Sequence, residues 1–189
     1  MQNRSPKRPV RVGVISLGCA KNLVDAEIML GSLMKGGMEI TNDATQADVV
    51  IVNTCSFIDA AQEESVDTIL QSAEVREANN RGQGLVVSGC LPQRFRDELP
   101  NLLPEVDAFM GIDQVANVTD IVSRALRRRQ EKLSTSPVPK GRRTAVKQRI
   151  AELDKQKPAA EPLIDVNLRP TFIPDFATPR FRLTPRHFA

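Results

Sequence analysis

The sequence predicts an α/β fold: a flavodoxin-like, five-stranded parallel sheet with helices on both faces. Three observations predict it. Short apolar runs rich in Val and Ile alternate with segments of helical periodicity. Those runs are apolar throughout, the pattern of strands buried on both faces. Right-handed crossovers then leave few topologies, of which the order 2-1-3-4-5 is common for five strands.

Each element follows in order. Val12 to Leu17 (VGVISL) is a compact β-branched run, and after it Leu23, Ala26, Leu30 and Leu33 recur at steps of 3, 4 and 3, one face of a helix. Gly36-Gly37 ends that helix. Met38 to Thr41 is a weak second strand and Ala47 to Val52 (ADVVIV) a strong third. Asp59, with Gln62 three residues on, has capping-box spacing and opens a helix through Ala73 that frays toward Asn79, Asn80 and Gly82. Leu85 to Ser88 is the fourth strand. A short helix led by Pro92 and a turn around Pro104 lead to Val106 to Ile112 as the fifth. Val115, Val118, Val122 and Ala125 mark the last helix.

Charge and proline divide the chain near residue 133. Up to Leu133 there are 15 Lys+Arg against 18 Asp+Glu, and from Ser134 onward 11 against 5, so a mildly acidic domain precedes a basic tail. Eight of the 13 prolines fall in that tail. The expected organisation is a flexible N-terminus (1–9), a domain (10–133), a Pro-rich basic and mostly disordered linker (134–170) and an extended segment (171–189). Phe172, Phe176, Phe181 and Phe188 in that last segment are expected to be exposed and the segment mobile. No run approaches the roughly 20 apolar residues of a membrane span, and Met1 to Pro9 has no apolar secretion segment, so a soluble, cytoplasmic protein with no membrane partner is expected.

Several function classes lose support. No G-x-x-x-x-G-K-[ST] and no G-x-G-x-x-G follows a strand. Trp and Tyr are absent, leaving 7 Phe as the only stacking aromatics, so direct nucleic-acid binding is not supported. Arg127-Arg128-Arg129 suits the last turn of a helix as well as it suits RNA. Asp59, Glu63, Glu64 and Asp67 read as a solvated helix face, and the single histidine, His187, supports no catalytic role.

The cysteines stand out. Cys19 follows the first strand, Cys55 the third and Cys90 the fourth, at separations of 36 and 35 residues. In the order 2-1-3-4-5 those strands are neighbours about 4.8 Å apart, and their carboxyl ends form the edge where open α/β sheets bind ligands. Three thiols there converge on one small object. Structural zinc is the weaker candidate, because a fourth ligand is wanting and His187 is far away in sequence. A cubane iron–sulfur cluster held by three thiolates would keep one iron open. Gly18 and Gly89 precede two of the cysteines, where backbone must come close, and helices follow each of them. Buried cysteine as a plain core residue is the rival reading. Asp25 and Glu27 either line the pocket or serve their own helix.

Ser16-Leu-Gly-Cys-Ala-Lys-Asn-Leu-Val-Asp-Ala-Glu27, Asn53-Thr-Cys-Ser-Phe-Ile-Asp59 with Glu63-Glu-Ser-Val-Asp67, and Gly89-Cys-Leu-Pro-Gln-Arg94 with Pro104-Glu-Val-Asp107 resemble the N-terminal domain of the radical-SAM methylthiotransferase family. Ala20-Lys21-Asn22 and Phe57-Ile58-Asp59 lean to its ribosomal-protein branch, which modifies an aspartate of a small-subunit ribosomal protein; the tRNA branch typically has Gln-Met-Asn after the first cysteine. The resemblance covers about Val10 to Leu133 and resumes at Thr171. It implies that Cys19, Cys55 and Cys90 hold an auxiliary [4Fe-4S] cluster whose open iron carries the sulfur to be transferred. It also implies a second cluster on C-x-x-x-C-x-x-C, in a barrel that binds S-adenosylmethionine; this sequence contains no such motif. The expectation is therefore a cluster-binding domain that does not turn over alone, with a ribosomal protein as the complete enzyme's substrate and a sulfur or iron–sulfur donor protein as a further partner. A tRNA methylthiotransferase domain and a non-catalytic α/β interaction module are the alternatives.

Overall fold

A computed structural model describes residues 8–135, 162–168, 170–175 and 177–183. The elements run β1 (Arg11–Ser16), α1 (Ala20–Lys35), β2 (Glu39–Ile40), β3 (Val49–Thr54), α2 (Asp59–Asn79), β4 (Gly84–Gly89), α3 (Cys90–Arg94), α4 (Leu99–Leu102), β5 (Ala108–Met110), a 3-10 turn (Ile112–Asn117), α5 (Val118–Thr135) and β6 (Leu163–Asp165). The sheet order is β2-β1-β3-β4-β5-β6 and every described pairing is parallel. The predicted order of the first five strands is therefore the observed one.

The sheet has six strands where the sequence predicts five. Leu163, Ile164 and Asp165, inside the stretch expected to be linker, pair with Ala108, Phe109 and Met110. β5 alone would leave an unpaired edge, and β6 covers it.

Side-chain alternation along the strands builds two cores. Val49 and Ile51 face α1 and α5, packing with Ala26, Met29, Leu33, Val118, Ile121 and Val122. Val50 and Val52 face α2, α3 and α4, packing with Ile69, Ala73, Leu91 and Leu99. All six residues of β3 and of β4 are buried, which explains the apolar runs 49–52 and 85–87 that precede the polar Asn53, Thr54 and Ser88.

The helix starts differ from expectation in two places. Asp59 is the first residue of α2 rather than its cap; Ile58 occupies the cap and makes no side-chain capping bond. Gln62 reaches back instead to the Ser56 carbonyl, at 3.4 Å. α3 begins at Cys90, two residues ahead of Pro92. α1 is buried beyond one stripe: Asn22, Asp25, Glu27 and Ser32 are buried with the predicted Ala26, Leu30 and Leu33, whereas Leu23 is half-buried.

Part of that burial comes from the C-terminal segment. The Phe181 amide donates to the Glu27 carbonyl at 2.8 Å, and the Glu27 carboxylate pairs with Arg180 and accepts from the Leu183 amide. The crossing is close: a Cβ on Gly31 would stand 2.4 Å from the Arg180 nitrogen. Asp113 accepts from the Thr171 amide at 2.6 Å, the Phe172 amide at 2.8 Å and Asn167 Nδ2 at 3.3 Å. Over its described part the segment is largely exposed, as expected, but it is anchored to α1 and to the 3-10 turn at these points. Phe172 packs partly buried against the α1/α5 core, while Phe181 is exposed. Phe176, Phe188 and His187 lie outside the described residues. At the other end Arg8, in the stretch expected to be flexible, makes a two-pronged pair with Asp48 at 2.7 and 2.8 Å.

Candidate functional site

β1, β3 and β4 are adjacent, so the segments leaving their carboxyl ends lie side by side. Each bears one cysteine, and none of the three is in a disulfide.

Cys19 is the residue before α1, with extended backbone and no capping bond from its side chain. The residue is exposed, at the start of a 16-residue helix. Cys55 is buried and its backbone is gripped by one side chain: Ser65 Oγ, from α2, accepts from the Cys55 amide at 3.2 Å and donates to the Cys55 carbonyl at 3.0 Å. Cys90 is half-buried at the first position of α3. Burial pushes its thiol pKa up; Lys21 pulls it down, and Cys55, Cys19 and Asp25 push it up further. The three sulfurs share one electrostatic neighbourhood.

The two glycines before cysteines have physical reasons. Gly18 has φ +94°, and a Cβ on it would stand 2.6 Å from Cys55 Cβ and 3.0 Å from Cys55 Sγ. Gly89 has φ +98°, and a Cβ there would meet the Thr54 carbonyl at 2.4 Å. Side chains at either position would drive the three segments apart.

Polar residues tie the segments together. Asn22 Nδ2 donates to the Leu17 carbonyl at 2.9 Å and the Thr54 carbonyl at 2.7 Å. Cys90 donates to Asn22 Oδ1 at 3.8 Å. Asn53 Nδ2 donates to the Asn22 carbonyl at 2.8 Å, and Thr54 Oγ1 to the Ser88 carbonyl at 2.6 Å. Arg94 Nη1 donates to the Ser56 carbonyl at 2.9 Å, joining the segment after Cys55 to the helix that starts at Cys90. Sequence alone assigns no role to Asn22, Asn53, Ser65 or Arg94; Asn53, which closes the apolar run of β3, carries the clearest signal.

Asp25 and Glu27 separate. Asp25 pairs with Lys21 at 2.6 Å, beside Cys90. Glu27 holds the C-terminal segment. Asp59, Glu63, Glu64 and Asp67 are exposed, as the sequence predicts. Arg129 is buried and bonded to Glu77 and to the Arg81 carbonyl, so it belongs to the interior. Beyond Cys55, Phe57 is 88% and Ile58 57% exposed, an apolar rim to the site. No helix among the described residues is long and apolar enough to cross a membrane.

The family described as "Uncharacterized protein family UPF0004" matches residues 11–111, from the start of β1 past β5, all three cysteines included. The chain belongs to the UPF0004 family. Its relatives include the "Ribosomal protein uS12 methylthiotransferase RimO" of Akkermansia muciniphila, 44% identical over 183 residues, 96% of this chain and 34% of that protein. The protein of the same name from Opitutus terrae is 45% identical over 183 residues, 95% of this chain and 33% of its own length. That of Geobacter sulfurreducens is 53% identical over 112 residues, 59% of this chain and 25% of its own length. The chain spans about a third of the length of the first two. Together the family match and these relatives identify a RimO-type N-terminal domain. The two long alignments extend well beyond the UPF0004 match, so the resemblance is wider than the motifs around the cysteines indicate.

Proposed function

We propose that this chain is the cluster-binding N-terminal domain of a ribosomal protein methylthiotransferase, with Cys19, Cys55 and Cys90 as the ligands of one auxiliary [4Fe-4S] cluster. The observation that carries the reading is three unpaired cysteines on the exits of three neighbouring strands, each beginning or preceding a helix. The donor set fits the group. Among the described residues no three His, Cys, Asp or Glu side chains gather around one metal ion. What supports the cluster is the three neighbouring strand exits that bear the cysteines, not a gathered metal-binding group. The glycine hydrogens at 18 and 89 keep the segments close, and Lys21 supplies a cation beside an anionic, thiolate-bound ligand.

When bound, the cluster would offer an open iron, on which the family's transferable sulfur resides. The chain's own residues do the rest. Ser65 fixes the Cys55 backbone, Arg94 links the Cys55 and Cys90 segments, and Phe57 with Ile58 makes one rim apolar. The sequence has no cysteines left for C-x-x-x-C-x-x-C, so radical generation from S-adenosylmethionine falls to residues outside it. By itself the chain binds the cluster without turnover. The complete enzyme methylthiolates an aspartate of a small-subunit ribosomal protein, and a sulfur or iron–sulfur donor protein loads the site.

The test is anaerobic reconstitution with iron and sulfide, followed by iron and sulfide analysis and Mössbauer spectroscopy of the wild type and Cys19→Ala, Cys55→Ala and Cys90→Ala. About four irons per chain in the wild type, and loss or conversion of the cluster in each variant, is the expected result. A folded wild type that stays colourless and takes up no iron refutes the reading and favours a plain interaction module.

A further inference from the structure

Asn22 is the third residue of α1, a position where a side chain commonly faces solvent or its own helix end. Here it is fully buried, and its side chain bonds groups outside the helix. The two Nδ2 donors reach the carbonyl of Leu17, two residues before Cys19, and the carbonyl of Thr54, whose carbon is bonded to the Cys55 nitrogen. In the cluster-free chain the Oδ1 acceptor receives the Cys90 thiol at 3.8 Å, a bond that needs the thiol proton and is given up when the sulfur binds iron. Its backbone carbonyl receives Asn53 Nδ2 from the end of β3. One amide therefore touches the segment of every cysteine, and both of its donors are in use.

The geometry excludes most replacements. Asn22 Nδ2 lies 3.4 Å from where a Cβ on Gly18 would stand, next to Cys55 Cβ at 2.6 Å and Sγ at 3.0 Å, so the amide packs against the same close approach. Aspartate would lose both donors and put a carboxylate beside the sulfurs. Leucine would take the amide donors away from the half-buried Leu17 carbonyl and the buried Thr54 carbonyl. Ser65 holds the Cys55 segment and Arg94 joins that segment to the helix that starts at Cys90, whereas the Asn22 side chain hydrogen-bonds a group in all three.

We propose that Asn22 is the positioning residue of the three-cysteine site: its buried amide sets the spacing of the three sulfur-bearing segments and thereby the cluster that they accept. The proposal rests on the cluster reading above, and two readouts separate them. The first needs no cluster. In the apo chain, hydrogen exchange at 17–19, 54–56 and 89–91 is compared between wild type, Asn22→Ala and Asn22→Gln, the last keeping the amide but displacing it by one methylene. Losing both Nδ2 hydrogen bonds, one buried and one part-buried, should speed exchange about tenfold in all three segments at once. Loosening confined to α1, or no change, overturns the proposal. The second readout is the reconstituted protein. Asn22→Ala should fall from about four irons to about three or fewer, with a three-iron electron paramagnetic resonance signal. Asn22→Gln should hold four irons at a shifted reduction potential. An Asn22→Ala chain with wild-type iron, spectrum and potential overturns the proposal. A wild type that takes up no iron refutes the cluster, and the exchange result then decides Asn22 alone.

Discussion

Gly18 marks one of the two tight points of the site, the one against Cys55. Its φ of +94° suits glycine, and Cys55 Cβ lies 2.6 Å from the place a methyl would occupy. Gly18→Ala therefore meets backbone strain of about 1–2 kcal/mol and overpacking of about 1–3 kcal/mol. Gly82, which has only Asn80 Oδ1 at 3.5 Å, is the control; Gly82→Ala should stay within about 0.5 kcal/mol of wild type. Urea unfolding of the two variants checks this, and equal losses would contradict it. The cysteines were legible in the sequence because each closes an apolar run, and a run's end fixes its place on the sheet edge. Asn22 was not, because its partners lie 32 and 68 residues away and only the folded strand order brings them to it. Glu27 was read as a helix partner or pocket wall for the same reason: Arg180 is 153 residues distant.

At the scale of elements, the short apolar runs in Ala47 to Val52 and Leu85 to Ser88 announced β3 and β4, and four spaced apolar residues announced α1. β6 has three residues, of which Ile164 is exposed, too little pattern to separate it from the prolines around it. Its neighbour, the 3-10 turn, shows how the following chain is kept in place. Burial alone would raise the Asp113 pKa, but bonds from the Phe172 and Thr171 amides and from Asn167 outweigh it, and the carboxyl is held below its ordinary value of 3.8. A group depressed in the folded state stabilises it above the unfolded pKa, and that contribution is lost as pH falls through the folded value. The attachment of residues 167–172 should therefore be complete at neutral pH and lost only below pH 3.8. Amide shifts of Thr171 and Phe172 followed by nuclear magnetic resonance should titrate with a midpoint under that value, and Asp113→Asn should abolish the titration. A midpoint at or above 3.8 would show that the carboxylate does not hold the segment.

Across the whole molecule the two edges of the sheet are built from different chemistry. The carboxyl edge, with the cysteines, is tied mostly by neutral amides and hydroxyls. The amino edge is tied by ions: Asp107, fully buried before β5, accepts from Arg76 of α2 at 3.0 Å and from the Leu85 amide at 2.9 Å, and lies 3.2 Å from Lys132 of α5. Glu77 and Arg129 extend the network between the same two helices. Burial lowers the pKa of both Arg76 and Lys132, and Asp107 opposes that shift in each. One carboxylate thus compensates two desolvated cations while joining helices from opposite faces of the sheet. Asp107→Ala would leave both cations buried without it, a loss of about 3–5 kcal/mol. The damage should be global rather than local, because Leu85 and Gly89 stand near opposite ends of β4 and the bonds of Asn22 and Ser65 do not involve Asp107. Asp107→Ala should therefore unfold at a much lower urea concentration, yet bind iron to wild-type stoichiometry while folded. Iron uptake that fails in step with stability would mean that the ion network positions the cysteines, and that the two edges act as one unit.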